Sequence, residues 1–252
     1  MSKRQRRWLV WANVLLAAGF LVWYFGAAAL FMVETRYVGW KFPEVVRVPV
    51  ELGDLSVAQG AGRTLSYFGY EFEAPWDDVD EAKGKQVGKV QLIAFRSDKA
   101  ILFSRMAPKE FVTEFLTNTK INPRDLRALY GEEALQSDYA LHRLILEATP
   151  GKINLLTPRQ EAVGNAMLLV MKGIMVPGRG ETEIYRVRTE KFQGFQFGDP
   201  KSRPKSVNIE MYAKDGGLSF IFVQREKGNA EGITQAEINR VIRTARRAPD
   251  EN

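Results

Sequence analysis

The chain has 252 residues, a formal net charge of +6 and no cysteine. The absence of cysteine excludes disulfide bonds, a lipoprotein anchor, thiolate catalysis and cysteine-ligated zinc. The positive charge would suit a nucleic-acid partner, but four basic residues lie in the first seven positions, and residues 34–252 contain 32 basic and 30 acidic residues. We therefore expect no nucleic-acid partner.

Residues 8–33 form an uncharged run of 26 residues directly after a basic tail, residues 1–7. A helix of about 20 apolar residues crosses the core of a bilayer, because each residue rises about 1.5 Å. The run therefore predicts a single N-terminal transmembrane helix with the lipid bilayer as its partner. Its amphipathic aromatic residues are predicted to help to anchor it: Trp8, Trp11, Trp23 and Tyr24.

The charges that flank this run predict its orientation. Acidic and basic residues are mixed after the run, whereas only basic residues precede it: Lys3, Arg4, Arg6 and Arg7. By the positive-inside rule, the tail lies in the cytoplasm and the bulk of the chain outside it, at the cell (inner) membrane. A cleaved signal peptide is the alternative, but its apolar core would be about 7–15 residues long, so an uncleaved signal anchor is favoured.

The remainder of the chain predicts a tether, residues 34–64, and one extracytoplasmic domain, residues 65–248. Pro43 and Pro49 argue against a helix in the tether, and short pieces such as VVRVPVEL are expected to pair with a sheet edge. The segment LSYFGYEFEAPW alternates with period two and predicts a strand. The segments KVQLIAFR and KAILFSRM predict a β-hairpin.

Helices are predicted in the middle and at the end of this domain. A proline at 108 suits the first turn of a helix, and two short helices are predicted between 123 and 146. Thr157 and Gln160 form a capping-box pattern that predicts a third helix, and Thr234 and Glu237 form a second such pattern before the closing helix. Between these helices, SVNIEMYAKDGGLSFIFVQRE predicts another hairpin.

Hairpins, a helical insert, more hairpins and a closing helix predict an α+β fold in which helices pack on an antiparallel sheet. The strand-rich start with FEAPW, the terminal hairpin and the closing helix resemble the PsbP-like group of exported accessory proteins, over residues 65–106 and 181–247. The resemblance implies a non-enzymatic domain that assists a membrane complex or an envelope process.

Few residues suggest chemistry. His142, the only histidine, follows Asp138 by four residues on a predicted helix, as an oriented base or metal ligand would, although a structural role is more common for a single histidine. Residues 77–81 carry four carboxylates, but the spacing of a calcium loop is missing and a solvated turn is favoured. Gly178-Arg179-Gly180 lacks the P-loop lysine and predicts a turn. We expect no metal and no cofactor.

Two side-chain clusters are candidates for contact with a ligand or a partner. Met167, Met171 and Met175 recur every four residues, which suits copper binding or an apolar pocket, with core packing as the more common role. The closing helix carries a basic cluster opposite its isoleucines: Arg240, Arg243, Arg246 and Arg247. This cluster suits anionic lipid or an acidic partner, and equally a solvated helix face.

Three functions follow, in decreasing order of preference. The first is a non-enzymatic interaction or accessory domain beside the membrane, with an envelope protein complex as its partner. The second is a module that binds a lipid or another apolar ligand. The third is an envelope hydrolase, which requires a carboxylate pair or a serine–base pair in a cleft; the sequence has no G-x-S-x-G motif to support it.

Overall fold

The computed structural model describes residues 3–176, 183–201, 206–224 and 232–249. Within the first of these ranges, the side chains of residues 3–13, 17, 18, 21–24 and 27 are not described. The fold is α+β, with helices packed on a mixed sheet.

The strands are, in chain order, β1 (Val50–Glu51), β2 (Arg63–Tyr67), β3 (Tyr70–Ala74), β4 (Lys85–Val87), β5 (Val90–Ala94), β6 (Lys99–Met106), β7 (Ile184–Arg188), β8 (Gln193–Phe197), β9 (Ser206–Ala213), β10 (Gly216–Gln224) and β11 (Arg246–Arg247). Within the described residues, eight strands form the main sheet in the order β1-β7-β8-β9-β10-β6-β5-β4. A smaller sheet has the order β11-β3-β2.

The helices lie before, between and after these strands. They are α1 (Lys3–Lys41), α2 (Glu110–Thr119), α3 (Pro123–Tyr130), α4 (Glu133–Gln136), α5 (Asp138–Leu146), α6 (Arg159–Met175) and α7 (Gln235–Thr244). Short 3₁₀ turns occupy Pro43–Val45 and Pro150–Lys152. The helical insert between β6 and β7 is therefore present, with three short helices where two were predicted between 123 and 146.

Most neighbouring strands of the main sheet are antiparallel, but β1 runs parallel to β7. The sheet is therefore mixed, and the prediction of an antiparallel sheet is wrong at this edge. Only Val50 and Glu51 pair there, opposite Tyr185 and Arg186. The two predicted hairpins are confirmed, since β5 pairs with β6 and β9 pairs with β10 in antiparallel register.

The aromatic segment that predicts one strand forms two. β2 and β3 pair across a turn at Phe68 and Gly69, whose φ angles are 53° and 77°. Gly69 adopts a positive φ without steric cost because it has no Cβ, and this lets the chain reverse. Period-two alternation persists in β3, where Tyr70, Phe72 and Ala74 are buried.

The N-terminal helix differs most from its prediction. α1 continues beyond the uncharged run through Glu34 and Arg36, so the first residues of the predicted tether are helical. From Ala28 onward α1 packs on α6, and Ala28 is fully buried in a small cluster with Ile153 and Ala162. This end of the helix belongs to the folded domain.

Among the described residues, the structure contains no helix whose length and apolar character would suit a bilayer crossing. The predicted transmembrane helix over residues 8–33, and with it the single-pass signal anchor in the membrane, is therefore wrong. An apolar run predicts that its side chains are buried, but it does not distinguish burial in lipid from burial against protein. In this structure α6 covers the C-terminal part of the run. The predicted anchoring and orienting side chains lie outside the described part of the structure: Trp8, Trp11, Trp23, Tyr24, Lys3, Arg4, Arg6 and Arg7.

Both faces of the main sheet are covered in its middle. One face packs against β2, β3 and α7 in a core rich in phenylalanine, where the ring centroids of Phe72, Phe103 and Phe220 lie 5.0 to 5.2 Å apart. The other face packs against α5 around Phe195 and Phe197. A third core lies among the helices α2 to α6 themselves.

The two predicted capping boxes have different outcomes. Thr234 Oγ1 accepts a hydrogen bond from Glu237 N while the Glu237 carboxylate accepts one from Thr234 N, so the box at the start of α7 is confirmed. α6 has no side-chain cap, because Thr157 Oγ1 accepts a bond from Asn154 N in the preceding turn. The capping box predicted at Thr157 is therefore wrong.

Replacing Gly194 with alanine should destabilise the sheet. β8 and β9 approach closely there, and an added Cβ would lie 1.9 Å from the carbonyl oxygen of Glu210. Relieving this overlap requires the strands to separate, so we expect the free energy of unfolding of Gly194→Ala to fall by about 3 kcal/mol.

The matched control is Gly53→Ala, because a Cβ added at Gly53 meets nothing within 4 Å. We expect this variant to change the free energy of unfolding by less than about 0.5 kcal/mol. Urea denaturation followed by circular dichroism measures both values. Equal stability of the two variants would contradict the close approach of β8 and β9.

Candidate functional site

A polar network lies where α5 crosses β9. His142 on α5 is fully buried, and its Nδ1 lies 2.7 Å from the Tyr212 hydroxyl oxygen. The Tyr212 hydroxyl donates to Glu210 Oε2 at 2.9 Å, and His142 Nδ1 lies 3.4 Å from the same oxygen. Glu210 and Tyr212 are two residues apart on a strand, so both side chains point toward α5.

The protonation of this network follows from its hydrogen bonds. Because the hydroxyl proton of Tyr212 goes to Glu210, His142 Nδ1 carries a proton and donates it to the phenolic oxygen. His142 Nε2 then presents a lone pair, and it is buried with no hydrogen-bond partner in the described part of the chain. The imidazole is surrounded by the rings of Phe111, Phe195 and Phe197, with centroids 4.9 to 5.8 Å away.

Burial sets the charge state of each group. Apolar surroundings penalise the imidazolium ion and lower the pKa of His142 to about 3. Burial also raises the pKa of Glu210, and burial together with the neighbouring Glu210 raises the pKa of Tyr212. The imidazole is therefore neutral near pH 7 and fully buried, and its hydrogen bond to Tyr212 joins α5 to the sheet.

The predicted pairing of His142 with Asp138 is not formed. Asp138 Oδ1 instead accepts a hydrogen bond from Val112 N at 2.9 Å and supports the first turn of α2, and burial raises the pKa of Asp138. Sequence reasoning missed Glu210 and Tyr212 as the partners of His142. The alternation of SVNIEMY contained a signal, because it places both residues on one phase of the strand.

A cleft of about 780 Å³ opens beside this network, near the start of α5 and the loop that follows β7. Tyr212, Ser137 and Asp138 lie in its wall, and Ser137 is the one serine in the described wall. Ser137 Oγ accepts a hydrogen bond from Ala140 N at 3.1 Å as the cap of α5. Its hydroxyl is thus used by the backbone, and the cleft gives no support to a hydrolase that needs a serine activated by a base.

The predicted methionine cluster lies along α6. Met171 and Met175 are half-buried against the helical core, and Met167 is half-buried on the same helix. Leu168 and Leu169, between them in sequence, are buried in that core. The methionines therefore lie at the margin of the core, where flexible thioether side chains fill space between helices.

The predicted arginine cluster is divided between two elements. Arg240 and Arg243 lie on α7, but the remaining two lie on β11, which pairs with β3. Three of the four arginines form ion pairs within the domain: Arg240 with Glu73, Arg246 with Glu71, and Arg247 with Asp215. Arg243 is exposed beside a polar cleft of about 200 Å³. These ion pairs mainly join α7 and β11 to β3 of the smaller sheet and to the β9–β10 turn.

Asp78 and Asp80, two of the four carboxylates at residues 77–81, have partners inside the fold. Asp78 Oδ2 accepts a hydrogen bond from Ser97 N at 2.7 Å, and the Asp80 carboxylate lies 2.8 Å from Lys83 Nζ. In the described ranges, no group of three or more potential ligands is placed to hold a metal ion. The segment Gly178-Arg179-Gly180 lies outside the described residues.

Lys172 is a buried cation on α6. Its Nζ donates to the carbonyl oxygen of Ala148 at 2.8 Å, just beyond the C-terminal end of α5, where the helix dipole favours positive charge. Burial, with Lys152 nearby, lowers the pKa of Lys172 to about 8. Its side chain is fully buried, so we assign it a structural role in joining α6 to α5.

α1 has two faces, and only one of them packs on the domain. Its inner face contacts α6 and the turn at Pro150–Lys152, and consists of Ala28, Phe31, Met32, Thr35 and Gly39. On the opposite face, uncharged residues recur every three and four positions: Leu16, Gly19, Trp23, Gly26, Leu30, Val33, Tyr37 and Trp40. We call these eight residues the outer seam. Among its described side chains, Leu16 is 71%, Val33 is 62% and Trp40 is 80% exposed.

A second exposed apolar surface lies on α6. Val163, Val170 and Ile174 recur at helical spacing on the side away from the helical core, and Val170 is 61% exposed. We call these three residues the α6 outer face. Clusters of exposed apolar side chains mark interaction sites, whereas single exposed ones need no explanation. The outer seam and the α6 outer face are therefore the candidate interaction surface of this protein.

No protein-family model matches this chain, and no curated protein and no solved structure matches it either. The resemblance to the PsbP-like group stays a prediction.

Acid should destabilise the fold through His142. Its pKa is about 3 in the folded state, against about 6.5 in the unfolded chain, so the folded state binds fewer protons between these values. The contribution of a neutral His142 to stability is complete above about pH 6.5, and the free energy of unfolding falls by about 1.4 kcal/mol per pH unit below it. We expect a loss of about 2 kcal/mol at pH 5, measured by urea denaturation at pH 7 and pH 5.

His142→Gln is the matched variant, because it keeps an amide hydrogen for Tyr212 but does not titrate in this range. The raised pKa of Glu210 acts in the opposite direction, since that group binds a proton more readily in the folded state. Both proteins contain Glu210, so its contribution cancels when their losses of stability between pH 7 and pH 5 are compared. Equal losses of stability in the wild type and in His142→Gln would contradict a neutral buried histidine.

Proposed function

We propose that this protein is a non-enzymatic interaction domain that assembles with another protein through its exposed apolar helix faces. The exposed α6 outer face is the main support for this proposal, and the outer seam of α1 is a second exposed apolar face. A helix on the surface of a domain normally presents polar side chains to water. Here two helices that contact each other both present apolar side chains instead.

Charged residues border this apolar surface. Arg159 and Glu161 are exposed at the start of α6, before Val163, and Glu34 and Arg36 are exposed beside the outer seam. An apolar centre with a polar rim is the usual composition of a protein–protein interface. The partner that fits is a protein with a matching apolar face, and an envelope protein complex is the class of partner that the sequence favours.

The buried side of the domain supports binding rather than chemistry. α5 is held on the sheet by the hydrogen bond between His142 and Tyr212, and α5 in turn contacts α6. The α6 outer face is therefore supported by the sheet through α5, and Val176 at the end of α6 also packs with Phe195 and Phe197 of the sheet. A surface that is already ordered loses less conformational entropy when a partner binds.

Val170→Glu tests this proposal. The full-length wild type and the variant are crosslinked in cells and purified, and the crosslinked partners are identified and quantified. We expect Val170→Glu to reduce the recovery of a defined partner by about tenfold or more, since it places a carboxylate in the middle of the apolar face. The change lies on an exposed position, so we expect the thermal midpoint to stay unchanged.

Val87→Glu is the matched control, because Val87 is 63% exposed on β4, outside the interaction surface, against 61% for Val170. We expect this control to recover the same partner as the wild type. Equal recovery with all three proteins, or recovery of unrelated proteins only, would contradict the proposed function.

A further inference from the structure

We propose that a second copy of this chain covers the outer seam, with the two α1 helices packed antiparallel. The inference deepens the proposed function, on which it rests, by naming the partner of one of its two faces.

The outer seam lies on the face of α1 that does not pack on α6. The inner face of α1 holds this helix on α6 and the preceding turn, through Ala28, Phe31 and Met32. The outer seam lies on the opposite side of the helix, where Leu30 and Val33 are more than half exposed. A helix that only needed to pack on the domain would carry polar residues at these positions.

The spacing of the outer seam is that of a coiled coil. Alternating steps of three and four residues place its members at the a and d positions of a heptad, which face a partner helix when two helices wind around each other. Leu16, Leu30 and Tyr37 take a positions, and Val33 and Trp40 take d positions. The pattern is sustained over 25 residues, which is about 36 Å of helix.

The order of large and small residues favours an antiparallel pair. In that arrangement a positions face d positions of the other copy, and each small residue meets a larger one. The layers formed by described residues are Leu16 with Trp40, Gly19 with Tyr37, and Gly26 with Leu30. A parallel pair would place glycine against glycine in two layers, at Gly19 and at Gly26, which leaves space unfilled.

Charge disfavours the parallel arrangement as well. In a parallel coiled coil, a g residue faces the e residue five positions later in the other helix, so Arg36 of each copy would face Lys41 of the other. Like charges at such positions are destabilising. The antiparallel pair places Arg36 near the uncharged run, residues 8–33, of the partner helix, and this repulsion does not arise.

The surface area and the position of the domain both fit a pair. The rings of Tyr37 and Trp40 and the aliphatic side chains of Leu16, Leu30 and Val33, counted over two copies, remove on the order of 1,000 Å² from water. That is at the lower limit of about 1,000 Å² for a biological interface. The domain packs on the opposite side of α1, through Ala28 and its neighbours, so it does not obstruct a second helix on the outer seam.

Sedimentation of the full-length protein tests the pairing. We expect the wild type to be a dimer and Leu30→Glu to raise the dissociation constant by about 100-fold or more, since both copies lose a buried leucine and gain a buried carboxylate. Leu156→Glu is the matched control, because Leu156 is 80% exposed in a loop before α6, and it should remain a dimer. A monomeric wild type, or a monomer that binds lipid vesicles through this helix, would overturn the proposal.

Introduced cysteines test the orientation, because the natural chain has none. Leu16→Cys and Trp40→Cys should form no disulfide when each is oxidised alone, but a mixed disulfide when the two proteins are combined. Disulfides within each single variant would show a parallel pair and overturn the antiparallel arrangement. A monomeric wild type whose crosslinked partner is still lost in Val170→Glu would overturn the pairing alone and leave the proposed function standing.

Discussion

The strands β8 and β9 are covered on both faces, and every polar side chain between those layers needs a partner inside the protein. On the side of α5 the imidazole of His142 provides it. On the side of α7, Gln196 is fully buried and exchanges hydrogen bonds with Gln235 at 2.8 and 3.0 Å, and Gln235 also donates to Asn239. Hydrogen bonds from amide, phenol or imidazole groups therefore fix the position of α5 on one face of the sheet and of α7 on the other. The rest of the fold is arranged around these two contacts.

The exposed apolar surface depends on the first of these contacts. α5 contacts β9 on one side and α6 on the other, and α6 contacts α1. The α6 outer face and the outer seam thus reach the sheet through this succession of helices, and the end of α6 also packs on the sheet directly, because Val176 is buried with Phe195 and Phe197. The buried Lys172 strengthens the middle step, because its ammonium group binds a carbonyl oxygen beyond the end of α5. The exposed apolar surface and the buried polar network around His142 are therefore connected through the same helices.

Local sequence patterns predicted the parts of the fold that depend on local physics. Period-two alternation found the hairpins, and the hydrogen bonds of a capping box lie within four residues, so Thr234 could be recognised as a helix start. Two other features join residues that are far apart in the chain: the parallel pairing of β1 with β7 and the hydrogen bond between His142 and Tyr212. The periodicity of a short sequence segment cannot predict such contacts. Thr157 shows that a correct motif fails when a neighbouring turn uses the same hydroxyl. The hydropathy of residues 8–33 predicted that this helix is buried, but it did not indicate what covers the helix. The cover depends on which residues lie on each face of the helix, and the spacing of the outer seam is the sequence pattern that describes one of these faces.

The closing helix has a consequence for the synthesis of the protein. Asn239 Nδ2 donates to the carbonyl oxygens of Ser56 and Asp54 at 2.7 and 2.8 Å, across 183 and 185 residues of chain. Ile238 and Val241 on the same helix complete the phenylalanine-rich core. While the ribosome is still making the strands, that core lacks part of its cover, because α7 is translated after all the strands of the main sheet. The nascent domain must therefore carry an open aromatic surface until this helix emerges, which is the period when it most needs a chaperone and when a stalled chain is most prone to aggregate.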